Sequence, residues 1–434
     1  MAIEDDILVI GGGLAGATAA LAAADRGAQV RLVSAKQSTL RHASGLIDVL
    51  GYAPAGDGPL ADPFAALEDL PAGHPYERVG GEAVREALAF FDEIAGDAYE
   101  GGHTDANALV PTHGGTVKPT ARYPVSTADG LASDDRDALL VGFETLPDFD
   151  APLSAAHLEA AGAPFEARGV TVQFPGIVRD DAKITRYAHL LDRPETVQTD
   201  RGETTAREAL AAVVDPHLEG ESRVGFPAVL GDDHADAVRA DLGDRLGVDV
   251  FEVPMGPPSL PGMRLEDLLY DALEERGVRV TTGVPVVDYE TDADGANADE
   301  PARIDHVVVD RNGTEIPHRA DQYVLATGGL VGKGVESERE RVFEPIFDCH
   351  VPHAADRYDW FVDDVFGDQP YARFGLPVDR DLRPLDADDG LEFPNLRGAG
   401  AVLGGYDFAA EKSGAGVSLA TGYVAGRRAA EEKR

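Results

Sequence analysis

The first sustained hydrophobic run, Ile7-Leu-Val-Ile10, contains no polar residue and is closed by glycine. A short continuous apolar stretch cut off by Gly is the pattern of a buried strand, so a strand is predicted from Asp6 to Ile10. From Ala17 the chain is alanine-rich and reads as a helix to about Arg26, and Gln29 to Val33 follows as a second strand. Gly11, Gly13 and Gly16 fill the turn between strand and helix at the spacing G-x-G-x-x-G. In that context the glycines allow a tight turn, close approach of a pyrophosphate and close helix–strand packing. The helix N-terminus offers free N–H groups and a positive dipole end to the phosphate. A ribose-binding carboxylate is expected at the end of the second strand. Val33-Ser34-Ala35-Lys36 stands there instead, which leaves the adenosine half of FAD or NAD without its usual anchor.

Farther along, the pattern alternates between strand and helix periods. A helix is predicted from about Glu82 to Ala95, after a Pro/Gly-rich linker from Ala53 to Pro63. Leu139–Phe143 and Val170–Phe174 read as strands around a helix at Ala155–Ala161, and the alternation recurs at Val224–Leu230, Asp236–Leu246 and Val248–Val253. This region carries no second G-x-G-x-x-G. It reads as an inserted α/β domain that caps or completes the cofactor site, with a separate nucleotide-binding domain as the alternative. After the rigid Gly256–Arg264 connector, Leu265, Leu268, Leu269 and Leu273 mark one face of a helix to Arg276. A strand at Val278–Thr282 follows. A three-strand excursion is predicted at Val284–Tyr289, Ile304–Asp310 and Gly313–Pro317, with an acidic loop at Asp292–Ala302. An apolar strand then ends in Ala326-Thr-Gly-Gly329. A last strand at Leu396–Ala399 runs through a glycine-rich loop to a small-residue helix starting near Gly414. The expected fold class is α/β: a Rossmann-like FAD/NAD(P)-binding fold with an inserted α/β domain. Residues 1–75 and 260–434 form the discontinuous binding domain and 76–259 the insert.

Charge changes the picture of the surface rather than of the fold. The 434 residues include 78 acidic and 38 basic ones, a net charge of −40 spread through the chain. Lysine stands only at Lys36, Lys118, Lys183, Lys333, Lys412 and Lys433. Dispersed acidity suits a protein kept soluble in molar salt, where the Debye length is ~3 Å; an acidic surface for a basic partner is the alternative. Nucleic acid is disfavoured, because the field has the wrong sign. One cysteine, Cys349, excludes an intramolecular disulfide, a Cys-based zinc site and a Cys-ligated iron–sulfur cluster. No apolar run approaches the ~18–20 residues of a membrane span, and the chain opens on the glycine fingerprint, so a cytoplasmic protein is expected.

The candidate cofactor-binding residues follow from three glycine-rich elements. They are Gly11, Gly13, Gly16 and Ser34; then Ser44 and Gly45 in the loop after the second strand; then Thr327, Gly328 and Gly329; and finally Gly400, Gly404, Gly405, Ser413 and Gly414. A second helix N-terminus near Gly414 is expected beside a flavin pyrimidine, where it stabilises negative charge on the reduced ring. Arg41, His42, His113, Lys118 and Arg264 are candidates for contacting an anionic substrate. No nucleophilic triad, metal-ligand set or carboxylate pair stands out.

The order of these elements is that of a two-dinucleotide-fold flavoprotein. Within that superfamily the chain resembles the B subunit of the anaerobic glycerol-3-phosphate dehydrogenases. The resemblance rests on Gly11–Gly16, Ser44-Gly45 with Asp48, His74-Pro-Tyr76, Pro257–Leu265, Glu344-Pro-Ile346 and Gly400–Asp407. It covers both ends of the chain and little of 100–250. It implies a complex that oxidises sn-glycerol 3-phosphate to dihydroxyacetone phosphate and passes electrons to the respiratory quinone pool. The implied partners are an FAD-bearing dehydrogenase subunit and an iron–sulfur subunit that docks on the membrane. The cofactor implied for the B subunit itself is FMN, with FAD as the alternative. A self-sufficient flavin oxidoreductase and a flavin-free assembly protein are the competing readings.

Overall fold

The structure is a computed structural model that describes residues 3–200, 202–292 and 301–433. Most of the expected acidic loop at Asp292–Ala302 lies outside these residues. The chain forms two compact units, Met1–Thr39 with Asp48–Ala95 and Leu268–Arg434, and Leu40–Ile47 with Gly96–Asp267.

The first unit is built on β1 (Ile3–Ile10), α1 (Leu14–Ala24), β2 (Val30–Ser34), α2 (Gly81–Ala95), β3 (Arg279–Thr282), β4 (Val286–Thr291), β5 (Ile304–Arg311), β6 (Thr314–Leu325), β7 (Leu396–Gly398) and α3 (Gly414–Glu431). Its sheet runs β3-β2-β1-β6-β5-β4, with β7 also paired to β6. β6 is the hinge of this topology. One edge runs parallel to β1 from Ile3↔His318 to Ile10↔Leu325. The other pairs antiparallel with β5 at its start and parallel with β7 at Tyr323↔Leu396. The expected strands at Gly313–Pro317 and Gln322–Leu325 are therefore one. Pro317 does not break it, because it stands just before pairing with β1 begins, where one edge of β6 has no neighbour.

α1 is buried from Leu14 to Ala23, and α3 packs on it through small residues. A Cβ on Gly422 would lie 2.4 Å from the Ala15 carbonyl oxygen, and one on Gly426 would lie 2.1 Å from that of Ala19. α2 also packs on α3, with Phe90 and Tyr423 ring centroids 5.3 Å apart. It thus belongs to the first unit, whereas a boundary at residue 76 assigns it to the insert.

The second unit holds a four-stranded parallel sheet in the order Asp249–Val253, Arg223–Pro227, Ala138–Phe143, Ala167–Val172. Helices Ala151–Ala160, Ile184–Asp192, Ala206–Val214 and Ala235–Leu246 belong to the same unit. The second and third of these are not among the expected helices, although each buries an apolar face, with Tyr187, Ala188, Leu190 and Leu191 on one and Ala206, Ala209, Leu210 and Val214 on the other. Arg223 is wholly buried, and its guanidinium donates to the carbonyls of Arg136, Asp129, Leu131 and Asp134 at 2.8–3.1 Å. Burial pushes its pKa down. The unit boundary falls within the helix Leu260–Glu275.

Alanine replaces glycine in an exposed helix with a gain of about 1 kcal/mol. Here the sign reverses. Gly422→Ala and Gly426→Ala are each expected to destabilise by about 1–3 kcal/mol, because the added methyl meets backbone that cannot yield. Urea unfolding midpoints check this, and a rise in either would refute the packing.

Candidate functional site

The first unit contains a cleft of about 580 Å³. It is lined by residues 10–15, the end of β2 and the chain after it (33–39), residues 284–287, Ala326–Gly328 and, from later segments, Lys333, Glu336, Ile346, Ala399 and Ser418. The cleft lies beyond the carboxyl ends of β1, β2 and β6, where open parallel sheets bind ligands.

The four glycines of the first turn serve different ends. Gly11 has φ +118°, and a Cβ there would lie 2.1 Å from the Ala326 carbonyl oxygen. Gly12 leaves room for Tyr270, whose hydroxyl donates to the Gly12 carbonyl at 3.0 Å. Gly16 is a packing residue outside the cleft: its Cβ would sit 1.9 Å from the Gly11 oxygen. Gly13 has an ordinary φ of −78°, and a Cβ there would meet no protein atom within 4 Å. Neither backbone nor packing requires glycine at 13, so the open space beside it suits a ligand. Gly13 caps α1 without a side-chain hydrogen bond, and the first turn holds no acid. That helix end is left for an anion.

Three further features suit a phosphate-bearing cofactor. Thr327 Oγ1 is buried with no hydrogen-bond partner among the described residues. Lys36 and Lys333 line the cleft, and among the described residues neither has an ion-pair partner, although acids outnumber bases twofold in this chain. Ser34 lines the cleft, with its hydroxyl donating to the Lys36 carbonyl at 2.6 Å. Gly328, with φ +86°, also lines the cleft. Tyr270 and Lys333 belong to no motif along the chain. The one signal for Lys333 is its rarity, since it is one of six lysines.

The remaining candidates in this unit do not line the cleft. Gly329 packs on the Ala401 carbonyl, Gly400 on the Ala15 methyl, Gly404 on the Gly375 carbonyl and Gly405 on the Gly73 carbonyl. Gly414 packs on Phe408. The α3 N-terminus is already engaged, because Asp48 Oδ1 accepts from Ala415 and Gly416 N–H at 2.8 and 3.5 Å. The anion expected beside Gly414 is thus a protein carboxylate, and Ser418, a turn later, is the α3 residue at the cleft. Around Asp48 a buried polar cluster gathers several of the resemblance motifs. His74 Nε2 donates to Glu411 at 3.1 Å while Nδ1 accepts from Tyr76 N–H, and Ser413 Oγ donates to Glu411 at 3.1 Å.

Ser44, Gly45 and the five cationic candidates belong to the second unit, and none lines the cleft. Arg41 is hydrogen-bonded and ion-paired to Glu266, which raises its pKa. Arg264 is half-buried; burial opposes its charge, but Glu252 at 2.6 and 3.1 Å overrides this, and the guanidinium also meets the Gly231 carbonyl. His42 is exposed. His113 is tied by its backbone to Pro254 and Ser154, and Lys118 lies in the hairpin strand Val117–Thr120. Ser44 Oγ accepts from Leu46 N–H at 3.4 Å, and Gly45, with φ +76°, packs on Pro261. No cluster of His, Cys, Asp or Glu among the described residues suits a metal ion.

Glu344 precedes Pro345 and Ile346 at the cleft wall and is fully buried. Burial raises its pKa to about 7, although Ile346 and Phe347 N–H donate to it at 2.8 and 2.7 Å.

The sheet, the glycine turn and the cleft define a flavoprotein of the FAD-binding class. The family described as FAD binding domain matches residues 6–417. In Halobacterium salinarum, the B subunit of a probable anaerobic glycerol-3-phosphate dehydrogenase is 63% identical over 99% of this chain and 99% of its own length. The B subunit of the anaerobic glycerol-3-phosphate dehydrogenase of Pectobacterium atrosepticum is 32% identical over 95% of this chain and 96% of its own. The chain belongs to this B-subunit family. Among solved structures, 3-ketosteroid delta1-dehydrogenase from Sterolibacterium denitrificans covers 99% of both chains at 14% identity and a TM-score of 0.45. No helix among the described residues is long and apolar enough to cross a membrane.

Two outcomes are expected. Gly13→Val should lower flavin occupancy about tenfold or more without moving the urea midpoint of the flavin-free protein, whereas Gly11→Ala should lower that midpoint. Equal flavin content in Gly13→Val and the parent would remove the cleft from consideration. For Glu344, the folded-state pKa lies above the unfolded one, so its stabilising contribution is complete below the ordinary carboxylate pKa and fades as pH rises through about 7. The urea midpoint should therefore fall between about pH 5 and about pH 8, and fall less steeply in Glu344→Gln.

Proposed function

We propose that this chain is the flavin-bearing subunit of a quinone-linked glycerol-3-phosphate dehydrogenase complex. In that complex sn-glycerol 3-phosphate is oxidised to dihydroxyacetone phosphate and the electrons pass to the respiratory chain. The observation that carries the reading is the cleft of the first unit, with open space at Gly13 and Lys36 and Lys333 along its wall, in a chain of the B-subunit family. The flavin, when bound, supplies the two-electron chemistry. The α1 N-terminus and Gly13 would hold the pyrophosphate, and Lys36 and Lys333 would offset its charge.

We assign FAD rather than the FMN that the resemblance implies. Two observations favour it: the matching family is that of an FAD binding domain, and the cleft continues past the glycine turn over residues 33–39 and 284–287. That is the side on which the adenosine half of a dinucleotide extends. The partners are the FAD-bearing dehydrogenase subunit of the complex and its iron–sulfur subunit, which docks on the membrane. They keep this chain at the inner face of the cell membrane. The dispersed negative charge supports a protein working in molar salt.

Acid release of the cofactor, chromatographed against FMN and FAD standards, tests the assignment. FAD is expected; FMN would reverse the cofactor and leave the rest intact, and no flavin would favour an assembly protein. Dehydrogenase activity should be low from the chain alone and rise when both partner subunits join it. Full activity from the isolated chain would favour a self-sufficient oxidoreductase.

A further inference from the structure

Large apolar side chains that face solvent in the first unit are concentrated in one short stretch. Phe366 is 97% exposed, Val365 80% and Tyr358 72%, with Phe361 and Val362 also exposed beside them. Singly exposed apolar residues are unremarkable, but a contiguous group marks an interaction surface.

The stretch is held in shape from within. Gln369, nine-tenths buried, closes the loop: its Oε1 accepts from Val362 N–H at 3.0 Å, and its Nε2 donates to the Asp364 and Val362 carbonyls at 2.7 and 3.3 Å. Asp364 Oδ1 accepts from Phe366 N–H at 3.1 Å. At the base, Trp360 donates to the Ala354 carbonyl at 2.7 Å and packs edge-on against His353 and Phe374. Polar groups are therefore turned inward to satisfy backbone while aromatic and branched side chains are turned outward. That inverts the usual preference and makes a preorganised loop of the compact, frequently functional kind.

Charge narrows the occupant. Residues 356–373 contain five aspartates and two arginines, and Asp359, Asp363 and Asp364 are exposed among the apolar tips. A second copy would bury like charges in direct contact, and anionic headgroups would be pressed against the same aspartates. A different protein with an apolar socket rimmed by Arg or Lys fits both features. In molar salt, where charges are screened beyond ~3 Å, the apolar tips carry the affinity and only the closest charge pairs add register.

We propose that the loop from Tyr358 to Gln369 is the docking surface for a basic-rimmed protein partner, which on the reading above is another subunit of the dehydrogenase complex. Its centre is Phe361, Val365 and Phe366.

The full chain, the triple variant Phe361→Ser/Val365→Ser/Phe366→Ser and the charge variant Asp363→Lys/Asp364→Lys are titrated in molar KCl against the purified FAD-bearing and iron–sulfur partners. The triple variant should bind one of them about tenfold or more weakly, as loss of an interface anchor does. The charge variant should also weaken binding, with flavin content and urea midpoint unchanged in both. Parent-like binding by the triple variant would overturn the proposal, as would a parent that binds neither partner. A triple variant that loses instead the parent's self-association, or its flotation with anionic vesicles, would reassign the loop to a second copy or a membrane. Flavin content is read separately, so a flavin-free parent sinks the cofactor assignment without deciding the docking result.

Discussion

Three backbone segments meet at one point with no side chain between them, and the architecture of the first unit depends on that contact. Gly16 lies against the Gly11 carbonyl, and Gly11 lies against the Ala326 carbonyl. A methyl group at Gly11 or Gly16 would stand about 2 Å from an oxygen, well inside contact distance. Because α1, β1 and the end of β6 can approach so closely, the helix N-terminus, the open space at Gly13 and the Ala326–Gly328 segment line the same cleft. The small residues of α3 extend this contact to a third layer, since Gly422 and Gly426 bring its backbone against α1.

The electrostatics follow an economy of cations. In a chain with twice as many acids as bases, most arginines are committed to carboxylates, as Arg41 is to Glu266 and Arg264 to Glu252. Those pairs remove the residues that their charge alone marks as anion contacts. Lys36 and Lys333, without an ion-pair partner among the described residues, are left at the cleft. Asp48 shows the same logic with the sign reversed: a buried carboxylate on the α3 N-terminus satisfies donors that a ligand would otherwise meet.

Much of this is legible along the chain. The G-x-G-x-x-G turn, its flanking strand and helix, the strand ending at Ala326-Thr327, the antiparallel excursion and the small-residue helix from Gly414 all follow from local period and glycine placement. The two unexpected helices of the second unit are nine residues each, too short for an apolar run to be told from a strand by its spacing alone. The two expected strands join into β6 because Pro317 breaks a strand only where its missing N–H is needed.

Local pattern alone thus specifies the nucleotide-type turn, its place at the head of an α/β sheet, the family resemblance and an acidity too dispersed to belong to a single site. Packing in three dimensions is what separates the glycines that face the cleft from those that merely allow close approach. The two kinds are identical as residues and differ in what a Cβ would strike. Packing also assigns the α3 N-terminus to Asp48, 366 positions before Gly414. Contacts between residues so far apart in the chain have no local signature, since they are set by how the sheet and helices pack rather than by the spacing of neighbours.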